Sequence, residues 1–379
     1  MTKLASTPGR VAPPRVLHIL APAAYGGLEQ VVFQLATGRA ARGLPTEVLA
    51  LVADAKGSAV SPLLDLLSQA GGRVTVLRSA YRSYGEEQRG IQAAVSAFGA
   101  DVVHTHGYHP DVLARRPARE AGTGLISTAH GFTGGGLKNR AYEWLQRRAW
   151  RDFDVVAAVS RPLLDRLVRS GIPERIVELC PNAWSGNEPL DRASARDLLR
   201  IPYAQRVVGW VGRQAEAKGP DVMVRSLAHL PADLGLVMIG DGPARGALIE
   251  LASELGVAAR ITWVGPMQGA GRCMAAFDVF SLSSRTEGTP MVLLEAMAAR
   301  VPIVATSVGG VPDVVSPSEA VLVEPESPEA LARGIDGVLR DPAEAARRTT
   351  AARQRVAERY SLAPWLDRYE EFYARAVRR

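Results

Sequence analysis

The feature that most constrains this chain is an alternation of two kinds of segment. Apolar runs of strand length, such as RVLHIL at 15–20, DVVHTH at 101–106 and GLVMIG at 235–240, alternate with longer amphipathic stretches such as VSPLLDLLSQAGG at 60–72. A run that is apolar throughout suits a strand covered on both faces, and the stretches between are long enough to cross back as helices. Parallel sheets with crossover helices satisfy both demands. The alternation runs to ERIVELCPNAW at 174–184, pauses over the polar residues 185–203 with Gly186, Pro189 and Pro202, and restarts at RVVGWVG. With 379 residues the chain is too long for one ordinary core. The expected fold class is therefore α/β, with two doubly wound Rossmann-like domains. A loose tail is expected over 1–13, a first domain over 14–184, a hinge over 185–203, a second domain over 204–360 and a C-terminal helix over 361–379.

Composition narrows the function classes. At 47% apolar and 22% charged residues the chain is an ordinary globular protein, and no apolar run approaches the ~18 residues of a membrane-spanning helix. Cys180 and Cys273 supply neither a disulfide framework nor metal-ligand spacing and read as buried thiols of a reducing cytoplasm. The net charge of +6 suits anionic ligands or an anionic membrane surface, whereas no basic block with interleaved aromatics points to nucleic acid. Lysine occurs only at positions 3, 56, 138 and 218, which singles out Lys218 inside a motif.

Ligands of open parallel sheets bind beyond the carboxyl ends of the strands. In the second half every unusual loop falls at that edge: RQAEAKGP after VVGWVG, DGP after LVMIG, PMQG after ITWVG, RTEGTP after VFSLSS and VGGVP after IVATS. In EGTPMVLLEAMA, Thr289 is expected to cap a helix and Pro290 to take its first position. Gly288 permits close approach of a ligand, and the amides of Met291 and Val292 then form an anion site at the positive end of the helix dipole. Glu295 follows about 7.5 Å along the helix, where its carboxylate can accept two hydrogen bonds from a ribose diol. Arg213 and Lys218 are placed to neutralise a diphosphate. Glu287 is placed to touch the group beyond the phosphates. Gly212 and Gly265, which end their strand runs, are counted with the donor-binding backbone. Each acid has a bland alternative as a solvated loop or helix residue, and Asp241 of the DGP loop reads as a turn former.

The first half offers less. Gly26 and Gly27 precede a helix whose first turn holds Glu29, but the spacing is not GxGxxG, which argues against a dinucleotide oxidoreductase. His104, His106 and His109 lack an acidic or cysteine partner in a familiar metal pattern, so a polar cleft wall is preferred to a metal site. His130 directly follows a strand at the ligand edge, with a sugar hydroxyl or a backbone carbonyl as its partner. Asp152 and Asp154 precede a strand, at the wrong end for ligand chemistry, and read as structural. The basic face of AYEWLQRRAWRD reads as solvated, with peripheral contact to membrane phosphates as the alternative.

Taken in order, YGGLE, HTHG, TAHG, AVSRPLLDRLVRSGIPERI, VGRQAEAKG, IGDGP, EGTPMVLLEAMA and VATSVGGVPDVV resemble the family 4 retaining glycosyltransferases over nearly the whole chain. Glu287 and Glu295 match the family's pair of glutamates separated by seven residues. The resemblance implies the GT-B architecture, two domains facing each other across a cleft with the C-terminal helix packed back on the first. It implies a nucleotide-diphosphate sugar as donor substrate and no metal or other cofactor. A carbohydrate or lipid-linked hydroxyl is implied as acceptor, and polysaccharide or glycolipid assembly in the cytoplasm or at the inner face of the membrane as the setting. Arg213 and Lys218 would stabilise the leaving diphosphate, Glu295 would hold the ribose, and Glu287 and His130 would contact the sugar. Gly26 and Gly27 would line the phosphate or acceptor side. Two positions depart from the family: PNAWS at 181–185 stands where Pro-Asn-Gly-Val-Asp is common, and Arg300 where a glycine is common. Three rivals remain: a glycoside hydrolase using the two glutamates, a non-catalytic nucleotide-sugar-binding subunit, and a sugar-phosphate synthase or phosphorylase on the same fold.

Overall fold

A computed structural model describes residues 12–22, 26–54, 62–80, 83–131, 137–184 and 188–377. Residues 1–11 of the expected tail and Gly186 of the expected hinge lie outside them. The first sheet contains β1 (Val16–Leu20), β2 (Thr46–Asp54), β3 (Arg73–Ala80), β4 (Val102–His106), β5 (Gly124–Ala129), β6 (Val155–Ala158) and β7 (Val177–Leu179). The second contains β8 (Val207–Val211), β9 (Gly235–Ile239), β10 (Ile261–Gly265), β11 (Val279–Leu282), β12 (Ile303–Thr306) and β13 (Val321–Val323). Their orders are β3-β2-β1-β4-β5-β6-β7 and β10-β9-β8-β11-β12-β13. Every strand pair is parallel. The central strands β1, β4, β8 and β9 are buried along their whole length, as strands covered on both faces are, with the polar His18, His104, Thr105 and His106 buried inside β1 and β4. This is the doubly wound α/β architecture expected.

Each sheet has its own apolar cores, three clusters around the first and two around the second. In the second domain Val207, Phe280, Leu293 and Met297 belong to one cluster, and Trp210, Met223, Leu236 and Ile335 to the other. The last helix, Leu362–Ala376, returns to the first sheet, where Tyr369, Phe372 and Tyr373 are fully buried beside Val16, Val102 and Ile126. Burial of each such ring contributes about 2 kcal/mol. Buried Arg39, on the helix Gly27–Ala41, fastens this return by pairing with Glu370 and lying 4.8 Å from the Tyr373 ring centre.

Three differences from the sequence reading have physical causes. The stretch 185–203, read as a hinge, contains the helix Arg192–Leu199. Asp191 caps it by accepting from the Ser194 amide at 2.9 Å, and Ala195 and Leu199 join the second-domain core. Arg196 made the segment look polar, yet its guanidinium is buried, donating to Asp278 and to the carbonyls of Ala276, Pro202, Tyr203 and Gln205. Second, two short helices, Tyr108–Leu113 and Arg115–Glu120, fill what had no assigned element. They are anchored by fully buried Asp111, which accepts from Thr105, Ser127 and Gln146. Third, GIQAAVSAFG at 90–99, one helical stretch of the alternation, is only the later part of a helix that begins at Tyr84, with Glu86 and Glu87 in its first turn, where acids suit the helix dipole.

Arg300 follows the helix Met291–Ala298 with φ +55°. It holds the left-handed position that glycine takes at many helix ends, at a steric cost of about 1 kcal/mol. Arg300→Gly is expected to stabilise the domain by about 0.5 kcal/mol after the entropy glycine adds to the unfolded chain. Urea denaturation checks this through the midpoint, which should rise with the slope unchanged.

Candidate functional site

Strand order locates the site. In the second sheet the winding reverses between β8 and β11, and in the first between β1 and β4. Crevices at such reversals, beyond the carboxyl ends of the strands, are where open α/β sheets take ligands. Arg213 and Lys218 follow β8, Glu287 follows β11, and Gly26 and Gly27 follow β1. The two crevices meet: a Cβ on Gly27 would lie 3.8 Å from the Met291 Cγ, and one on Gly288 would lie 2.8 Å from Val159 and 2.9 Å from the His130 carbonyl.

Lys218 and Glu287 are brought together more closely than the sequence suggested. The Lys218 Nζ donates to both Glu287 carboxylate oxygens, each at 2.8 Å, and the Ser284 hydroxyl donates to Oε1 at 2.6 Å. The Glu287 side chain is nearly buried, whereas Lys218 is partly exposed. An ammonium has three donors, so the third N–H of Lys218 remains for an incoming oxygen. Arg213 is exposed and its side chain has no partner among the described residues.

The loops carrying these groups are stitched to one another. Arg285 donates to both oxygens of Asp221, at 2.8 and 2.7 Å, to both oxygens of Glu326, at 2.5 and 2.9 Å, and to the Glu216 carbonyl at 2.8 Å. Its own amide reaches the Ala217 carbonyl at 2.9 Å. Asp221 is held below the usual carboxylate range by the Arg285 guanidinium. Ser283 adds a hydrogen bond to the Gly219 carbonyl at 2.7 Å and accepts one from the Trp210 indole at 3.0 Å. Gly219, at φ +57°, has no room for a side chain, because a Cβ there would collide with the Ser283 carbonyl oxygen. The loop with Lys218 is thus clamped to the loop with Glu287. Sequence reasoning missed Arg285 as the clamp, because nothing in RTEG separates it from other surface arginines.

The helix Met291–Ala298 departs in one detail from expectation. Pro290, not Thr289, is its N-cap residue, and no side chain caps it. The Thr289 hydroxyl donates instead to the Val159 carbonyl of the first domain, and its carbonyl accepts from Asn182 Nδ2 at 3.2 Å. Cross-domain packing outweighed the capping preference. The amides of Met291 and Val292 have no acceptor among the described residues, and the Met291 side chain lies beside Gly27. Glu295 is half-buried, pressed against Gly271, with no hydrogen bond among the described residues. Burial pushes its carboxyl up to about 7. Glu287 and Glu295 therefore face different elements and share no hydrogen bond, which disfavours an acid–nucleophile pair. Gly212 and Gly240 approach too closely for a side chain on Gly240, and Gly240 donates to the Gly265 carbonyl at 2.8 Å; Gly265 itself, at φ +82°, faces open space. The Gly242 amide donates to Asp241 Oδ1 at 2.8 Å, a turn-forming role.

On the first-domain side His130 is half-buried, and its Nε2 has no partner among the described residues. Burial lowers its pKa to about 4, so it is neutral at pH 7. Gly26 ends in extended backbone beside the Glu29 carboxylate. His104 and His106 are buried rather than forming a cleft wall, because β4 is a central strand. They cluster with His18, one nitrogen of each lying within 4.8 Å of the others. Both His104 nitrogens are engaged, by Tyr373 at 2.9 Å and Thr128 at 2.8 Å, and His18 and His106 bond each other at 3.1 Å. Burial holds all three imidazoles neutral. His109 stands apart and bonds Glu87 at 3.2 Å. Asp152 pairs with Arg115 and Arg119, and Asp154 accepts from the Leu125 amide at 2.8 Å, both at the far edge of the sheet. The two cysteines are buried and free.

Known proteins resemble this chain in sequence and in fold. Residues 191–355 match the family model described as Glycosyl transferases group 1, and residues 26–183 match the Glycosyl transferase 4-like domain. D-inositol 3-phosphate glycosyltransferase of Rhodococcus opacus is 29% identical, over 93% of this chain and 86% of its own. The putative teichuronic acid biosynthesis glycosyltransferase TuaC of Bacillus subtilis is 31% identical over 50% of this chain and 48% of its own. Among solved structures, Anabaena HepE in complex with UDP-glucose superposes with a TM-score of 0.83 at 19% identity, covering 95% of this chain and 99% of that one. Sucrose-phosphate synthase of Thermosynechococcus elongatus superposes with a TM-score of 0.80 at 21% identity, covering 95% and 98%.

Proposed function

We propose that this chain, whose second half matches the group 1 glycosyl transferases and whose first half matches the 4-like domain, is a GT-B glycosyltransferase that moves a hexose from a nucleotide-diphosphate sugar to a hydroxyl acceptor with retention at the anomeric carbon. The observation that carries the reading is the Lys218–Glu287 pair, held at the strand-order reversal beside the uncapped start of the helix Met291–Ala298. The diphosphate would lie against the amides of Met291 and Val292, with Gly288, Thr289 and Pro290 forming the turn beneath it. The free N–H of Lys218 and the unpaired guanidinium of Arg213 would meet its oxygens. The ribose diol would donate to Glu295.

Breaking the glycosyl–phosphate bond places negative charge on the diphosphate. Donors already fixed in position stabilise that charge as it grows, without reorganisation. Glu287, held by Lys218 and Ser284, would accept from sugar hydroxyls close to the anomeric carbon, and the free Nε2 of neutral His130 would bond another. The departing phosphate oxygen can take the acceptor proton, so attack from the same face requires no separate base. The positive charge is supplied by side chains and amides, and no metal enters the scheme. The acceptor is taken to be a carbohydrate or lipid-linked hydroxyl, in keeping with relatives named for inositol phosphate and teichuronic acid.

The test is release of nucleoside diphosphate from UDP-, GDP- and ADP-hexoses, each with and without a sugar or polyol acceptor. Acceptor-stimulated release from one donor is expected, and the anomeric proton coupling of the product should match that of the donor. Inverted product removes the retaining step. A chain that binds donor but never turns over is the non-catalytic subunit instead. Release with phosphate or a sugar phosphate alone as acceptor selects the phosphorylase or synthase reading.

A further inference from the structure

The helix Leu137–Trp150 of the first domain carries a solvent face that the catalytic scheme does not use. Gln146, Ala149 and Trp150 turn inward and are buried. On the opposite side Arg140, Trp144 and Arg148 follow one another at intervals of four, which aligns them along one stripe. Arg147 lies beside that stripe by the same helical geometry. Trp144 is 57% exposed and Leu145 41%. None of Arg140, Arg147 or Arg148 has an ion-pair partner among the described residues, whereas the helix's one acid, Glu143, is taken by Arg166 at 3.2 Å. An indole surrounded by unpaired guanidinium groups matches the boundary layer of a bilayer. The ring sits at headgroup level, and the cations meet anionic phosphates. A purely solvated helix has no use for an exposed tryptophan at the centre of such a stripe.

We propose that this face docks the protein on membranes rich in anionic phospholipid. No helix among the described residues is long and apolar enough to cross a membrane, so the contact is peripheral. This helix is the next described element after β5, at whose carboxyl end His130 stands. The proposal deepens the reading of a lipid-linked acceptor but does not depend on the donor site.

The test is co-sedimentation of the full chain with vesicles of phosphatidylcholine alone and of phosphatidylcholine with phosphatidylglycerol. Binding is expected only to the anionic vesicles and should weaken as salt screens the charges. One arginine near the surface is worth about fivefold in partition. Arg140→Glu combined with Arg148→Glu should therefore lower partition by more than about tenfold, and Trp144→Ala should lower it separately. All three positions are exposed, so donor-dependent thermal protection should stay native in both variants; loss of that protection alone counts against the donor site, not against docking. Native-like partition of both variants, equal binding to neutral vesicles, or binding to a soluble polyanion without binding to vesicles would overturn the proposal.

Discussion

Lys218→Ala is expected to lower turnover by about a hundred- to a thousandfold, with the KM for acceptor close to native. That is the range for losing one preorganised group that stabilises charge only as the bond breaks. Lys218 contributes twice: one N–H is free for the leaving phosphate, and two hold Glu287 in place. Removing it also leaves a nearly buried carboxylate with only the Ser284 hydroxyl, so a stability loss of about 1–3 kcal/mol is expected as well. Lys218→Ala with Glu287→Gln separates the two effects, because the amide removes the unpaired charge. The double variant should regain the stability and not the turnover. Arg213→Ala, which breaks no contact among the described residues, should lower turnover with no change in stability. Steady-state kinetics and urea denaturation of the same preparations decide it: native turnover in Lys218→Ala and Arg213→Ala together would remove the proposed role of both cations.

Glu295→Gln should move stability and donor affinity in opposite directions. Burial without a partner raises the carboxyl from 4.5 to about 7, so the folded protein holds this proton more tightly than the unfolded chain. The sign follows: below about pH 4.5 both states are protonated and nothing is lost. Between 4.5 and 7 the unfolded chain ionises first and stability falls as pH rises. Above 7 the loss is complete. At ~1.4 kcal/mol per unit the full shift corresponds to about 3 kcal/mol, and partial exposure of the side chain reduces this to about 1–2 kcal/mol. The glutamine variant should be more stable than the native chain at pH 8 by that amount, equal to it near pH 4.5, and poorer in donor affinity by about tenfold or more. A ribose diol donating both hydrogens favours the ionised carboxylate, so donor binding at pH 7 should release protons in the native chain and not in the variant. Calorimetric titration in two buffers of different ionisation enthalpy measures that release.

The fold was legible because its strands are covered on both faces and its loops are short. RVVGWVG and GLVMIG point to buried parallel strands, and the amphipathic stretches between such runs suit crossovers. What was illegible is instructive. Arg196 disguised a packed helix as a hinge, since a one-letter code does not reveal that five acceptors surround its guanidinium. Thr289 had the right type and place for a cap, but the Val159 carbonyl lies 130 positions away in sequence. The joining of His18 to His104 and His106 likewise depends on β1 lying next to β4, a strand order that spacing does not encode. Arg300 was recognised as a departure from the family, and the structure converts that departure into a left-handed backbone. The candidate site residues were found largely through their common edge, whereas their mutual contacts, above all Lys218 with Glu287, emerge only from coordinates.

The central claim is that one pocket beyond the ends of β8 and β11 holds a sugar-bearing diphosphate. Crystals grown with UDP-glucose, or with whichever donor gives the largest thermal shift, test it most directly. Density is predicted with the diphosphate against the Met291 and Val292 amides, Lys218 and Arg213 on its oxygens, the ribose on Glu295 and the hexose beside Glu287. The same molecule bound with full occupancy at another place, leaving those six positions untouched, would contradict the account.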